Sequence, residues 1–356
     1  SQNARFLLFL AAFIKGVDEY QEMLRCTVAI PGNDHRLGAQ EAPPAIISIF
    51  LGDELEAVVE SIIKGTEYVD QGKRKLDIGV AALPRISQDN TDRNRTSPLA
   101  FTGNKFEFRM LGSSQSISGP NIALNTIMAE ELSQFADVLE KADDFGEALN
   151  ALIKETFTAH QRIIFNGNGY EDAWVQEAEK RGLANLTCTA DALKSYLLPK
   201  NVELFVKHGV YTKEEFTARS ETHFENYCKV ISIEANTMVD MVKREIYPAV
   251  CSFMTEVAGT ITTKKAALAD IDCSTEEKLL KDLSALSKEL MAQCTALEEA
   301  IAKVPEGSLA DEANYYRYTV FATMEKVRAA ADPLETITSS EFWPYPSYAD
   351  ILFSIK

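Results

Sequence analysis

The sequence has 356 residues, 46% of them hydrophobic, and its 53 acidic side chains outnumber 36 basic ones, for a formal net charge of −17. That length and apolar content are enough for a sizeable core and for more than one domain. The acidic balance excludes a broad electrostatic surface for nucleic acid or for an anionic membrane, so any phosphate site has to be built from local cations.

The opening segment is predicted to be a buried helix. Its apolar run, residues 6–14, passes directly into an amphipathic pattern, has no small-residue cleavage site and is too short to cross a bilayer. Because the chain starts without methionine and inside what reads as a packed element, we expect it to be a piece of a longer polypeptide.

Helix and strand signals are mixed up to about residue 145. Residues 53–64 carry apolar side chains on one helical face, and Gly65 is placed to end that helix. Residues 75–83 alternate as in a strand, and Pro120 is placed to open another helix. This part of the chain is predicted to be α+β.

The remainder, residues 146–356, reads as almost wholly helical. Thr212 with Glu215 and Ser274 with Glu277 have the spacing of capping boxes, each ahead of a long helical pattern. The chain is therefore predicted to be predominantly α, with a mixed domain at 1–145 and a helical domain at 146–356.

Two prolines and one apolar stripe define the long helices further. Pro248 is expected to kink or break the first of them, and a later helix is expected to end before Pro333. The stripe in residues 279–301 fits either a partner-binding coiled coil or the core of a helical hairpin, and its short length favours the hairpin. The aromatic, proline-rich tail from residue 341 is predicted to pack as an extended strap.

Residues 105–110 alternate charged and apolar side chains just before a Gly-Ser-Ser turn. In a strand, Lys105, Glu107 and Arg109 lie on one face, and two phenylalanines and a methionine lie on the other. One reading is an exposed strand with an ion-pair ladder. The other is a site for a metal-bound polyphosphate, since a carboxylate suits Mg²⁺ and the two cations suit phosphate oxygens.

Two loops add candidates for the same chemistry. Phosphoryl transfer needs positioned cations more than covalent apparatus, and Arg36 and Arg95 join the cations of the strand. Glu41 lies in a Gly-Ala loop that ends in two prolines, and it would be a carboxylate on a mobile flap.

These three stretches, NDHRLGAQEAPP, NRTSP and NKFEFRMLGSSQSISGPN, occur in an order that closely resembles the C-terminal catalytic half of glutamine synthetase, specifically the type III class. The resemblance covers residues 5 to 140, and the helical remainder resembles the C-terminal extension of that class. It implies an antiparallel sheet with helices, followed by an all-helical domain.

The resemblance implies roles for the loop residues. The arginine of Arg-Leu, here Arg36, holds the substrate glutamate. Glu41, in the Glu-Ala-Pro of the flap, shields the γ-glutamyl phosphate and helps to deprotonate ammonium. The arginine of Asn-Arg-Ser/Thr, here Arg95, helps to stabilise the transferring phosphoryl group.

The resemblance also implies roles for the strand. Lys105 lies on the nucleotide side, Glu107 is a ligand of one divalent metal, and Arg109 contacts phosphate and the phosphorylated intermediate. The implied reaction is ATP-dependent amidation of glutamate by ammonia with Mg²⁺ or Mn²⁺. The implied assembly is a cytoplasmic homo-oligomer of stacked hexameric rings, a dodecamer.

The sequence departs from the family pattern at several points. Gly32, Asn33, Asp34 and His35 stand where the family has Asn-Ser-Tyr-Lys, and no second arginine follows the Asn-Arg-Thr-Ser segment. The other metal ligands of the family would precede residue 1, so the isolated chain is predicted to be inactive.

Two other functions remain open. One is a related ligase that joins glutamate to an amine other than ammonia. The other is a non-catalytic helical scaffold or regulatory module, which would be insensitive to substitution of Glu107.

No metal site is predicted from the cysteines or from three of the histidines. The six cysteines lack CxxC pairs and are predicted to be reduced thiols, and the spacing of His160, His208 and His223 is not that of metal ligands.

Overall fold

The computed structural model describes residues 2–39, 42–68, 75–76, 86–87 and 96–354. The chain divides into two compact units, Ser1–His223 and Phe224–Lys356. The predicted domain boundary after residue 145 rests on sequence character rather than on compactness, and it stays a prediction. Glu41 and Arg95 lie outside the described residues, as does most of the strand expected at 75–83.

Helices make up most of the described chain, with short strands only in the first unit. The α-helices are α1 Gln2–Glu19, α2 Gln21–Cys26, α3 Pro31–Asp34, α4 Asp53–Lys64, α5 Ser118–Leu139, α6 Phe145–His160, α7 Asp172–Lys180, α8 Thr189–Leu193, α9 Pro199–Lys207, α10 Lys213–Met241, α11 Tyr247–Ala267, α12 Ser274–Ala302, α13 Leu309–Tyr315, α14 Ala322–Ile337 and α15 Tyr348–Leu352. The strands are β1 Ile49–Phe50, β2 Lys75–Leu76, β3 Ile86–Ser87, β4 Leu99–Phe101 and β5 Phe106–Phe108.

The larger sheet has the order β1-β4-β5. Strand β1 is parallel to β4, and β4 is antiparallel to β5, with Ala100 opposite Glu107. The expected antiparallel pairing is therefore found between β4 and β5, and it is wrong for β1 and β4. The reason is the connection: β4 and β5 form a hairpin, whereas a long crossover containing α4 brings the chain from β1 to β4 in the same direction.

Helix α1 packs on α5 and α6, and its two halves differ in burial. Leu10, Ile14 and Val17 are at most 2% exposed, whereas Phe6 and Phe9 are more than 40% exposed. The prediction of a buried helix thus holds for its second half and not for its beginning. No helix of the described residues has the length and apolar content to cross a membrane.

Helix α5 buries two adjacent carboxylates. Glu131 is fully buried and is bound by Lys15 of α1. Glu130 accepts hydrogen bonds from Lys207 at 2.8 Å and from His208 at 2.7 Å. Burial acts to raise the pKa of Glu130, but these partners outweigh it and hold that pKa at about 2. His208 therefore has a structural contact, as expected for a residue at the edge of a core.

The second unit contains a helical hairpin core. Helix α12 packs on α11 and α14, and its stripe residues Leu283, Leu290, Cys294 and Leu297 are fully buried. These contacts within one chain confirm the hairpin reading of the stripe. All six cysteines are free thiols.

A wide turn separates α10 from α11. Residues Val242–Ile246 form a π-helix, and Pro248 lies in the first turn of α11. Proline has no N–H to donate and its ring crowds the preceding turn, so a wider turn there accommodates it without breaking the helix. The predicted break at Pro248 is therefore wrong, because the chain stays helical through the π-turn, and the alternative of a kink stays a prediction.

Three local predictions differ from the structure. Thr212 and Glu215 form the expected capping box, but Ser274 and Glu277 do not, because the Asp272 carboxylate accepts from the Ser274 N–H and starts α12 instead. Helix α14 continues through Pro333 to Ile337, and the buried Leu334 shows that packing outweighs the lost hydrogen bond. The tail was predicted to pack as an extended strap, and this is wrong for α15, which is helical and has no buried residue.

Candidate active site

The charged strand is one arm of a tight hairpin. Strands β4 and β5 are joined by residues 102–105, with the Thr102 N–H donating to the Lys105 carbonyl at 2.9 Å. Gly103 has φ +94°, a conformation that favours glycine. The ladder continues past β5, because the Arg109 N–H donates to the Pro98 carbonyl at 2.7 Å. This pairing fixes which face each side chain of 105–110 takes.

Three charged side chains of the hairpin meet on one face, as the alternation predicted. The Glu107 carboxylate lies 2.9 Å from Arg109 Nη2 and 3.4 Å from Lys105 Nζ. On the other face Phe106 stacks on Phe13 of α1 at 3.9 Å, and Met110 is buried. The hydrogen bond from Arg109, followed by that from Lys105, holds the pKa of Glu107 below its ordinary value, so this carboxylate is ionised at neutral pH.

Arg36 reaches the end of the same strand from a different part of the chain. It follows α3, and its guanidinium donates to the Met110 carbonyl at 2.9 Å and to the Arg109 carbonyl at 3.3 Å. A third bond goes to Asn33 Oδ1 at 3.0 Å. These bonds use three of the five N–H groups of the guanidinium, and the other two have no partner among the described residues. The Arg36 guanidinium is thus held against the backbone of the strand end that carries Arg109.

Asn33 is a positioning residue that sequence reasoning missed. Asn33 is 1% exposed, and its side-chain N–H groups donate to the carbonyls of Val28 and Met110, both at 2.9 Å. Its side-chain oxygen accepts a hydrogen bond from the Arg36 guanidinium. Its place in the NDHRLG motif was the available signal. The sequence alone could not show that its partner Met110 comes from the strand.

Asp34 anchors this segment to the rest of the unit. Its carboxylate accepts from the Thr189 N–H at 2.7 Å and from the Thr189 hydroxyl at 2.8 Å, and it lies 3.3 Å from Arg25 Nη2. Arg25 is 1% exposed. Burial raises the pKa of Asp34, opposed by the Thr189 hydrogen bonds and the Arg25 charge. Asp34 is one of the residues at which this chain departs from the family pattern.

Glu41 and Arg95 lie outside the described residues, but the structure describes segments next to each of them. On either side of Glu41, Leu37 pairs with Ala42 in a β-bridge, and the Gly38 N–H donates to the Pro43 carbonyl at 3.0 Å. The two ends of the predicted flap therefore lie together.

Gly169 packs tightly against both loop regions. A Cβ on Gly169 would overlap the Thr96 carbonyl oxygen and lie 3.3 Å from Pro43 Cβ. Thr96 follows Arg95 in sequence, and Pro43 follows the Glu41 segment. The absence of a side chain at 169 lets these two backbone segments approach each other.

We expect Gly169→Ala to destabilise the protein by about 1–3 kcal/mol, because a methyl group there meets backbone that has little room to move. The measurement is the urea midpoint of unfolding followed through the buried Trp174. Gly32→Ala is the control, since a Cβ at Gly32 has no atom within 4 Å. Equal midpoints for the two variants would contradict the close approach at Gly169.

A metal site cannot be completed from the described residues. Among them, no three His, Cys, Asp or Glu side chains are grouped so as to hold a metal ion. Glu107 is a suitable oxygen donor, but its carboxylate is bound by two cations. This donor set does not fit a resident metal by itself, and Glu107 could supply one ligand at most.

Comparison with known proteins identifies the family. Residues 148–265 match the model of a protein family, the glutamine synthetase C-terminal domain. The chain is 40% identical to a type-3 glutamine synthetase of Dictyostelium discoideum over 99% of its own length. The chain belongs to the glutamine synthetase family. It is also 40% identical to a glutamine synthetase of Butyrivibrio fibrisolvens and 33% identical to one of Bacteroides fragilis, over 100% and 99% of its length.

The family assignment confirms the resemblance seen in the three motifs. The chain spans about half the length of these relatives, namely 49%, 51% and 50%. Arg36, Glu107 and Arg109 lie before residue 148, where the match to the glutamine synthetase C-terminal domain begins. The match to the Dictyostelium discoideum relative covers 99% of this chain and so extends over that earlier segment.

Proposed function

We propose that this chain supplies the C-terminal half of the active site of a type-3 glutamine synthetase. The reaction is the ATP-dependent amidation of glutamate by ammonia through a γ-glutamyl phosphate. The observation that carries the proposal is that the Arg36 guanidinium binds the backbone end of the strand whose Arg109 side chain binds Glu107, although Arg36 and Arg109 are more than 70 residues apart in sequence.

Each cation has a role that its geometry supports. Arg36 has two N–H groups left for a carboxylate of glutamate, because its other three are bound to the strand end and to Asn33. Arg109, whose side chain is mostly buried, stabilises negative charge on the phosphoryl group, and the exposed Lys105 contacts the nucleotide. Arg95 and Glu41 take the phosphoryl-stabilising and flap roles that the family resemblance gives them.

The flap and the buried strand end also explain how the intermediate is protected. An acyl phosphate is hydrolysed by water, so closing the loop that carries Glu41 over the site favours attack by ammonia. In this proposal Glu41 takes the proton released from ammonium. The Mg²⁺ or Mn²⁺ that the family uses would need ligands beyond this chain, with Glu107 as one of them.

The proposal extends to the whole protein. We propose that it is cytoplasmic and assembles as stacked hexameric rings, in which residues outside this chain complete the site. These statements rest on the family resemblance, and the acidic composition is compatible with them.

We predict that the isolated chain forms no glutamine, since the described residues cannot complete a metal site. The measurement is glutamate- and ammonium-dependent release of ADP with Mg²⁺. It compares this chain with one extended at its N-terminus to the length of its relatives.

Activity in the extended chain alone supports the proposed function. Glutamine formation by the isolated chain would contradict the division of the site. If the extended chain releases ADP with another amine and not with ammonium, the function is that of a related ligase.

A further inference from the structure

A cavity of about 350 Å³ lies in the first unit, next to the start of α5. Its apolar wall includes Met23, Ile122 and Phe205. Its other walls come from the segment containing Thr27 and from the first turns of α10. This volume is in the range of small-molecule pockets, and the walls combine apolar surface with a few polar groups. None of the residues assigned to the proposed reaction lines it.

The charge of the cavity is unusual for so acidic a chain. Arg219 lines it, and no Asp or Glu of the described residues does. The Arg219 guanidinium lies 4.4 Å from the centre of the Tyr211 ring, a cation–π contact that holds it in place without using its N–H groups on a carboxylate. The cavity therefore offers a positioned cation to an anionic ligand.

Tyr196 provides an independent sign of a missing partner. Its side chain is 5% exposed and its ring stacks on Phe216 at 4.5 Å. Its hydroxyl forms no hydrogen bond to another residue in the described part of the chain, and Tyr196 lines the cavity. Because an unpaired hydroxyl in a largely buried side chain is costly, an acceptor on a ligand would stabilise it.

The beginning of α5 adds to the preference for an anion. Ser116 and Ser118 line the cavity, and their hydroxyls lie 2.9 Å apart. The first turn of this 22-residue helix has no acidic side chain. The positive end of its dipole therefore faces this region without a competing carboxylate.

We propose that this cavity binds a small organic acid that has an apolar body and no amino group. Its carboxylate pairs with Arg219, a second oxygen accepts from the Tyr196 hydroxyl, and its apolar body packs against Met23, Ile122 and Phe205. An amino acid is disfavoured, because its ammonium group would find no carboxylate on the described lining.

The cavity adjoins the candidate active site through two short segments. Gln115 lines the cavity, and its side chain accepts a hydrogen bond from the Gly112 N–H at 2.8 Å. Gly112 lies two residues after Met110, whose carbonyl accepts from Arg36. Thr27 also lines the cavity, and the carbonyl of the next residue, Val28, accepts a hydrogen bond from the Asn33 side chain. A bound acid would thus contact both segments that position Arg36, although binding itself does not depend on the proposed reaction.

The test uses phenylpyruvate and phenylalanine, which differ in the oxo and ammonium groups but share the carboxylate and the ring. Binding is measured by titration calorimetry without nucleotide, on this chain and on the chain extended to the length of its relatives. We expect saturable binding of phenylpyruvate at one site per chain in both proteins. Phenylalanine and inorganic phosphate should bind at least about tenfold more weakly.

Two variants assign the binding to this cavity. Arg219→Gln should weaken phenylpyruvate about tenfold or more, and Tyr196→Phe, which removes only the hydroxyl, about three- to tenfold. Lys229→Gln removes an exposed cation that does not line the cavity, and it should change nothing.

Several results would overturn the proposal. These are the absence of saturable binding, equal binding of phenylalanine or phosphate, full affinity in Arg219→Gln, and binding by the isolated chain that is lost in the extended one. Because no nucleotide or ammonium is present, these failures are distinct from a failure of the proposed synthetase activity.

Discussion

Replacing Glu107 by glutamine in the extended chain is expected to lower the rate of glutamine formation by about a hundredfold to a thousandfold. The substitution keeps the shape of the side chain but removes the charge that holds Arg109 at 2.9 Å and Lys105 at 3.4 Å. Both cations would then be displaced from the positions in which we propose that they contact phosphate, and a donor to the proposed metal would be weakened. The measurement is ADP release that depends on glutamate and ammonium.

The fold should survive this change. The side chains of Glu107 and Lys105 are exposed to solvent, so their ion pairs contribute little to the free energy of unfolding. Glu60→Gln is a matched control, because Glu60 forms an exposed ion pair with Lys64 at 2.6 Å on α4. If Glu107→Gln were as active as Glu60→Gln, the hairpin would be an ion-pair ladder and no part of the site.

The largest effect on stability is expected at Asp34. Asp34→Ala should lower the free energy of unfolding of the first unit by about 3–5 kcal/mol, because it leaves the buried Arg25 charge without its carboxylate. The two hydrogen bonds from Thr189 are lost at the same time. Urea unfolding followed by the fluorescence of Trp174 measures the change.

A double variant separates the charge from the hydrogen bonds. Adding Arg25→Met to Asp34→Ala removes the unpaired guanidinium, so the double variant should be more stable than Asp34→Ala alone. Lys64→Met breaks an exposed ion pair of the same unit and should cost less than about 1 kcal/mol. A double variant that is less stable than Asp34→Ala would show that Arg25 contributes through packing instead.

Local sequence patterns predicted the elements that local physics decides. Alternation placed Lys105, Glu107 and Arg109 on one face of a strand, and the structure confirms it. Gly65, with φ +67°, ends α4 as predicted, because glycine adopts this conformation without strain. Thr212 forms its capping box with a residue three positions away.

Patterns failed where a competing group or distant packing decides. At Ser274 the nearby Asp272 carboxylate was the better acceptor for the first N–H groups of α12. At Pro333 the burial of Leu334 keeps the helix going. The contact between Arg36 and the Met110 carbonyl joins residues 74 positions apart, so no local signal could show it.

The π-helix before Pro248 accommodates one more residue than an α-helix would over the same stretch. Ile231 and Val250 are both buried, and they are 19 residues apart. In an uninterrupted α-helix that separation would leave them about 100° apart around the axis, whereas 18 residues complete five turns. A π-turn takes up one extra residue, so it allows the two side chains to share one face of the continuous helix. A homologue that lacks one residue between 242 and 246 could therefore keep the same core with an unbroken α-helix, so a gap there in an alignment would mark a change of helix type rather than a lost contact.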